Sequence, residues 1–126
     1  MTGRPRMSLT AVVLDAPDVP ALAGFYERLL GWPVGSKEPD WMTLRPPGGG
    51  AGLSFQTESA YARPTWPAGP GDQQMSMHLD IEVDDLDAAI AYAVSIGATV
   101  ADFQPQRDVR VCLDPAGHPF CLWTSA

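Results

Sequence analysis

Two histidines, two cysteines and a scatter of carboxylates are the residues of this chain equipped for acid–base, nucleophilic or metal-binding chemistry, and their spacing sorts them. His78, Asp80 and Glu82 alternate with Leu79, Ile81 and Val83. In an extended strand this puts the three polar side chains on one face and the three apolar ones on the other, toward a helix-covered core. An imidazole beside a carboxylate, His78 with Asp80, can serve as a general base or bind a polar group of a ligand. The same pair can equally be a hydrogen-bonded structural couple. Cys112 and Cys121 lack C-x-x-C spacing and are too few for a disulfide scaffold, so they read first as small buried hydrophobes. If the turn between them closes with Leu113 across from Phe120, the two thiols face each other. A nucleophilic cysteine would need an activating base, and His78 is the candidate. The second histidine, His118, lies in a turn beside Pro119. Trp41, Phe55 and Trp123 are apolar strand residues open to a cavity or a core role. Arg45 and Arg110 stand in corresponding strands, where they could neutralise an acidic ligand or simply be solvated. Glu82, Asp84, Asp85 and Asp87 read as a capped, solvated helix start favoured by the helix dipole.

The elements that must position these residues come from an internal repeat. A shift that lays Ala11–Tyr26 onto His78–Ala93 also lays Gly50–Thr57 onto Gly117–Thr124. In the first copy Leu9–Asp15 reads as a strand. Asp18 then opens a helix with Leu22, Phe25, Leu29 and Leu30 on one face, and Gly31 stops it. In the second copy Met77–Val83 is the strand and Asp84 or Asp85 the cap. Leu86, Ile90, Ala93 and Val94 form the apolar stripe before Gly97. Three short extended segments follow each helix: Trp32–Lys37, Trp41–Arg45 and Leu53–Thr57, then Thr99–Gln104, Val109–Leu113 and Phe120–Thr124. Pro46–Gly50 and Asp114–Gly117 supply turn chemistry before the last segment of each half. Residues 58–74, with three prolines and no periodicity, read as a linker. Its Tyr61 and Trp66 are bulky for a passive connector; they either cover a sheet edge or interface, or form a flap over a cavity.

With 126 residues, 45% hydrophobic and 18% charged, the chain has the composition of one globular domain. The expected organisation is a single domain over 1–126, with a first module at about 8–57, the linker at 58–74 and a second module at about 75–124. A net charge of −7 with scattered Lys and Arg argues against a nucleic-acid partner. No apolar run approaches the roughly 18 to 20 residues of a membrane span, and no apolar block follows Arg4 and Arg6. The expected location is cytoplasmic, with no membrane partner.

Several motifs then combine in order: Leu14-x-x-x-Asp18, Phe25-Tyr26 and Leu30-Gly31-Trp32 in the first half; His78-x-Asp80-x-Glu82-Val83-Asp84-Asp85-Leu86, Gly97-Ala98 and Asp114-Pro115-x-Gly117-x-Pro119-Phe120 in the second. Over residues 9–124 the chain resembles the glyoxalase / bleomycin-resistance / dioxygenase group, the vicinal oxygen chelate superfamily. The resemblance implies an α+β fold in which tandem βαβββ modules form a curled, cup-shaped mixed sheet with helices outside, enclosing a small-molecule cavity. Metal-dependent members place ligands on the first and last strands of each module. Carried over, those positions are Ala11, Ser54, His78 and Cys121, with Gln56 in place of Ser54 if the register slips. Only His78 matches, and no carboxylate appears, so the expected cofactor is none; the alternative is a divalent metal ion held by His78 and Cys121. The expected catalytic pair is His78 and Asp80, and the expected ligand-binding set is Trp41, Ser54, Gln56, Tyr61, Trp66, Arg110, Cys121 and Trp123. Three functions remain open. They are a metal-free protein that binds a flat, largely apolar small molecule; an enzyme, without metal or with an atypical ion, using His78 and Asp80 for proton transfer in an isomerisation, cyclisation or lyase step; and a metal-dependent enzyme of the family's kind, dioxygenases included. A homodimer is implied as well.

Overall fold

The computed structural model describes residues 3–125; Met1, Thr2 and Ala126 lie outside them. Ten elements repeat one plan: β1 (Ala11–Ala16), α1 (Val19–Leu30), β2 (Val34–Glu38), β3 (Trp41–Leu44) and β4 (Gly52–Thr57), then β5 (Leu79–Glu82), α2 (Leu86–Ser95), β6 (Thr99–Val100), β7 (Val109–Leu113) and β8 (Pro119–Trp123). The strands form two open four-stranded mixed sheets, ordered β1-β4-β3-β2 and β5-β8-β7-β6. In each, the first strand runs parallel to the last, and the rest of the sheet is antiparallel. The α+β class and the tandem βαβββ plan agree with the sequence reading.

The helix limits follow from the expected caps. The Asp18 carboxylate accepts from the Ala21 amide at 3.1 Å, and Pro20 occupies the first turn, where its missing N–H costs nothing. Gly31 ends α1 in a left-handed conformation (φ 69°), donating to the Glu27 carbonyl. Asp85, rather than Asp84, caps α2 by accepting from the Ala88 amide at 3.0 Å.

Packing breaks the symmetry of the repeat. α1 buries Val19, Leu22, Ala23, Phe25 and Tyr26, whereas α2 fully buries only Ala93. The Tyr26 ring stacks on Phe55 of the first sheet, with centroids 5.9 Å apart, and meets Phe120 of the second at 6.1 Å. Phe25 reaches Phe120 at 5.9 Å. One helix face thus carries the rings that bridge the two sheets, while α2 packs on β6 and β8 of the second. The Tyr26 hydroxyl donates to Asp114 Oδ2 at 2.8 Å in a fully buried contact that ties α1 to the turn between β7 and β8. Burial first, then the Asp114 carboxylate, hold the Tyr26 phenol protonated well above its ordinary range.

Two expectations are corrected. The segment expected to be extended over Thr99–Gln104 pairs only at Thr99 and Val100. Beyond Ala101, the Gln104 side-chain amide replaces the backbone ladder: it donates to the carbonyls of Ala101 (2.9 Å) and Val111 (3.0 Å) and accepts from the Val111 amide (3.0 Å). Pro105, with no N–H, follows at once. The β7–β8 hairpin is also one residue tighter than expected, pairing Leu113 with Pro119, Cys112 with Phe120 and Val111 with Cys121. Asp114 sets this register by accepting from the amides of Ala116 and His118 through Oδ1, while its own amide donates to the His118 carbonyl. Cys112 and Cys121 therefore point to opposite faces, and both are free thiols. Among the described residues no helix is long and apolar enough to cross a membrane.

Tyr26→Phe removes one donor from a buried carboxylate and is expected to lower unfolding free energy by about 1–3 kcal/mol in urea titrations. The sign with pH is fixed by the raised phenol value. The stabilisation is fully present below the ordinary tyrosine range and is lost as pH rises through the folded value, so the variant should lose less stability than the parent on the alkaline limb.

Candidate functional site

On the second sheet, Asp80 of β5 lies abreast of Cys121 of β8, and His78, two residues before Asp80, falls on the same face. Leu79 and Ile81 turn the other way and pack against the core. His78 Nε2 sits 3.1 Å from Asp80 Oδ1. The imidazole, carboxylate and thiol each offer a ligand atom, and these atoms lie within 4.8 Å of one another. The Trp66 ring stacks on His78 with centroids 4.9 Å apart and planes 23° from parallel, and its edge contacts Phe103. A hollow of about 570 Å³ opens there, walled by Trp66, His78, Asp80, Val109, Cys121 and Trp123 among others. The Cys121 thiol is pushed up to about 11 by burial, then by the Asp80 charge; burial, then Cys121, raises Cys112 similarly, to about 11. Neither is a ready nucleophile near neutral pH.

A second hollow, of about 430 Å³, lies between the two modules. β1 supplies Val12 to Asp15, the connection between modules supplies Tyr61 and Met75 to Met77, and His118 and Pro119 form another part of the wall. His78 borders both hollows and so joins them. The Tyr61 hydroxyl donates to the Ala116 carbonyl at 2.7 Å and lies 3.3 Å from His118 Nε2. Its phenol is pushed up to about 12, by burial first and the Asp114 charge second. On the other edge of the ring, His118 Nδ1 meets Asp114 Oδ2 at 2.9 Å.

The residues singled out from sequence divide accordingly. His78, Asp80, Cys121, Trp66 and Trp123 surround one hollow, and Tyr61 borders the other. Trp41, Ser54 and Gln56 line neither. Gln56 lies between Asp15 and Trp41 in the first sheet and donates to Asp15 Oδ1 at 2.7 Å, while Ser54 is buried opposite Val13. Arg110 lies elsewhere. It pairs with Leu122, one residue out of phase with Cys121, and so stands on the opposite face. Its Nη1 donates to the carbonyls of Gln106, Arg107 and Val109, leaving it to brace a loop rather than meet a ligand in the cup. Sequence reasoning passed over His118 as a turn residue; the available signal was Asp114, four positions before it.

The family's two-module metal set does not fit these residues. Ala11 has no donor atom, and Ser54 offers only a buried hydroxyl. The trio of His78, Asp80 and Cys121 belongs to one module, and its thiol would have to surrender a tightly held proton.

A family model described as a glyoxalase-like domain matches residues 11–123. Among solved structures, a glyoxalase/bleomycin resistance protein/dioxygenase family enzyme from Burkholderia phytofirmans is 21% identical, with 95% of this chain and 100% of that one covered and a TM-score of 0.71. A glyoxalase-related enzyme from Fulvimarina pelagi is 19% identical, covering 95% and 89%, with a TM-score of 0.68. A possible glyoxalase from Bacillus cereus is 16% identical, covering 94% and 99%, also at 0.68. At these identities the likeness is one of fold. No curated protein matches the chain.

A thiol raised from 9.0 to about 11 carries roughly a hundredfold less thiolate at neutral pH. Iodoacetamide at pH 8, followed by mass spectrometry, should therefore modify Cys121 at least about tenfold more slowly than it modifies glutathione. Rapid alkylation of Cys121 in the folded chain would contradict this picture of the site.

Proposed function

Because the chain belongs to the family of glyoxalase-like domains, we propose that it uses the family's cavity without the family's usual metal, binding a small, largely apolar molecule in the hollow between its modules. The carrying observation is the wall of that hollow. Val12, Val13, Leu14, Met75, Met77 and Leu79 line it, and Val13 and Met77 remain 45% and 67% exposed. Large apolar side chains left open inside a concavity favour an apolar guest, since covering them is worth about 25 cal/mol per Å². Trp66, stacked on His78 where the hollows meet, offers a flat surface for an aromatic guest. Of the expected binding set, Tyr61 borders this hollow and Trp66, Cys121 and Trp123 border the adjoining one, with His78, expected as a catalytic residue, on the wall of both. The name of the Burkholderia protein joins bleomycin resistance with enzymes, which keeps both sequestration and catalysis within the family's range.

A second reading has its own support. The contact of 3.1 Å between His78 and Asp80 suits proton transfer, and the trio with Cys121 could hold a divalent ion in an enzyme of lyase, isomerase or dioxygenase type. We also propose that the chain acts as one cytoplasmic domain and pairs as a homodimer, because β1, β2, β5 and β6 are sheet edges that call for cover.

The test begins with protein purified without chelators. Metal analysis should give far less than one ion per chain, and EDTA should leave the Tm unchanged. An apolar aromatic at about a hundred times its Kd should add roughly 2.7 kcal/mol of stability, several degrees in Tm. A near-stoichiometric ion whose removal lowers the Tm would instead establish the metal-dependent reading.

A further inference from the structure

His118 is anchored more firmly than its place in a turn requires, and the anchor decides what the far edge of its ring can do. The Asp114 carboxylate is 1% exposed and accepts from the Tyr26 hydroxyl and from the amides of Ala116 and His118. With three donors already aimed at it the carboxylate acts as acceptor throughout, so the proton between it and His118 belongs to Nδ1, 2.9 Å from Oδ2 and 3.1 Å from Oδ1. A neutral imidazole carries one N–H, and with that proton on Nδ1 the opposite nitrogen, Nε2, presents a lone pair. Tyr61 leaves it unmet. The phenol has spent its only proton on the Ala116 carbonyl at 2.7 Å, and its oxygen stands 3.3 Å from Nε2 as a second acceptor. The His118 side chain is 16% exposed and forms part of the wall of the 430 Å³ hollow, so this acceptor borders the cavity.

We propose that His118, positioned by Asp114 with its proton on Nδ1, is the polar contact of this cavity, accepting at Nε2 a hydrogen bond from a neutral hydroxyl on an otherwise apolar guest. The inference rests on the binding function proposed above and adds the chemical class of the guest. The surroundings select among polar groups. Asp15 of β1 and Glu58 of the connection stand on the same wall, Asp114 lies beneath, and the other imidazole, His78, is engaged with Asp80. Arg63 reaches over to the Pro115 carbonyl rather than into the wall. An anionic head would therefore meet like charge, and a ketone would set lone pair against lone pair. An ammonium would bring three donors to one lone pair, while Asp15 already accepts from Gln56 and Glu58 from the Ala60 amide. A hydroxyl brings one proton to one acceptor, and the body that carries it covers the apolar side chains of the wall.

Equilibrium dialysis of the full chain at pH 8 can compare three probes built on one ring system: 2-naphthol, 2-methoxynaphthalene, which keeps the oxygen but has no proton to give, and 2-naphthylmethylamine, a cation at that pH. 2-Naphthol should bind about 3- to 10-fold more tightly than its methyl ether, the worth of one hydrogen bond. In His118→Phe that preference should vanish while affinity for the ether stays within about twofold. Should that variant not fold, histidine-selective 15N NMR of the parent protein reads the same nitrogen directly. Nδ1 should be protonated and Nε2 bare, and saturating 2-naphthol should move the Nε2 signal toward that of a protonated nitrogen. Binding of the ether as tight as that of 2-naphthol, a preference that survives His118→Phe, tighter binding of the amine, a ring protonated at Nε2, or an Nε2 signal unmoved by bound 2-naphthol overturns the role of His118 alone. Binding of none of the three probes overturns the cavity reading itself.

Discussion

Asp114 places a carboxylate at 1% exposure where the two modules meet, a position in which an unpaired charge would be strongly destabilising. Four donors make it tenable: the Tyr26 hydroxyl from α1, the amides of Ala116 and His118, and the His118 ring. Each donor carries a structural consequence. The two amides fold the turn into its tight form and so fix the β7–β8 register, which brings Cys121 abreast of Val111. The phenol ties α1, packed on the first sheet, to the turn of the second module. The imidazole is held at the border of the hollow between modules. One buried acid thus governs a hairpin, a helix and a cavity wall.

The two halves share a sequence plan without sharing a role. α1 carries Phe25 and Tyr26 where α2 carries Tyr92 and Ala93, and the larger apolar face wins the central position. α2 is left with Tyr92 and Val94 about half exposed, and the Tyr92 hydroxyl satisfies the Arg28 carbonyl near the end of α1. The asymmetry matters for the site. The first sheet gives the cavity mainly apolar surface through Val12 to Leu14, while the second gives it both histidines.

Much of this was legible in the sequence because the signals were local. Asp18 and Asp85 announce helix starts through their own side chains, Gly31 a stop through its left-handed backbone, and the alternation from His78 to Val83 assigns faces without knowledge of any partner strand. What escaped depends on pairing across strands. A side-chain period of two means that a turn misjudged by one residue reverses which residues face one another, and this separated Cys112 from Cys121. The same parity places Arg110 opposite Leu122, on the face away from Cys121. Gln104 escaped for another reason: a side-chain amide imitating a backbone ladder leaves no periodic trace. His118 was hidden by company, since beside a glycine and a proline it reads as part of a turn until Asp114 is seen beneath it.

The contrast between the two histidines bears on what kind of guest the cavity suits. His78 pairs with an acid that is itself 65% exposed, so water shares the contact, and its ring is held by stacking on Trp66. His118 pairs with an acid sealed from water and anchored by three other groups, so its orientation is fixed before anything binds. A side chain aligned in advance loses no freedom when a guest arrives. The wall between the modules is mainly apolar, and a guest of the proposed kind would cover Val13 and Met77, which are otherwise open to water.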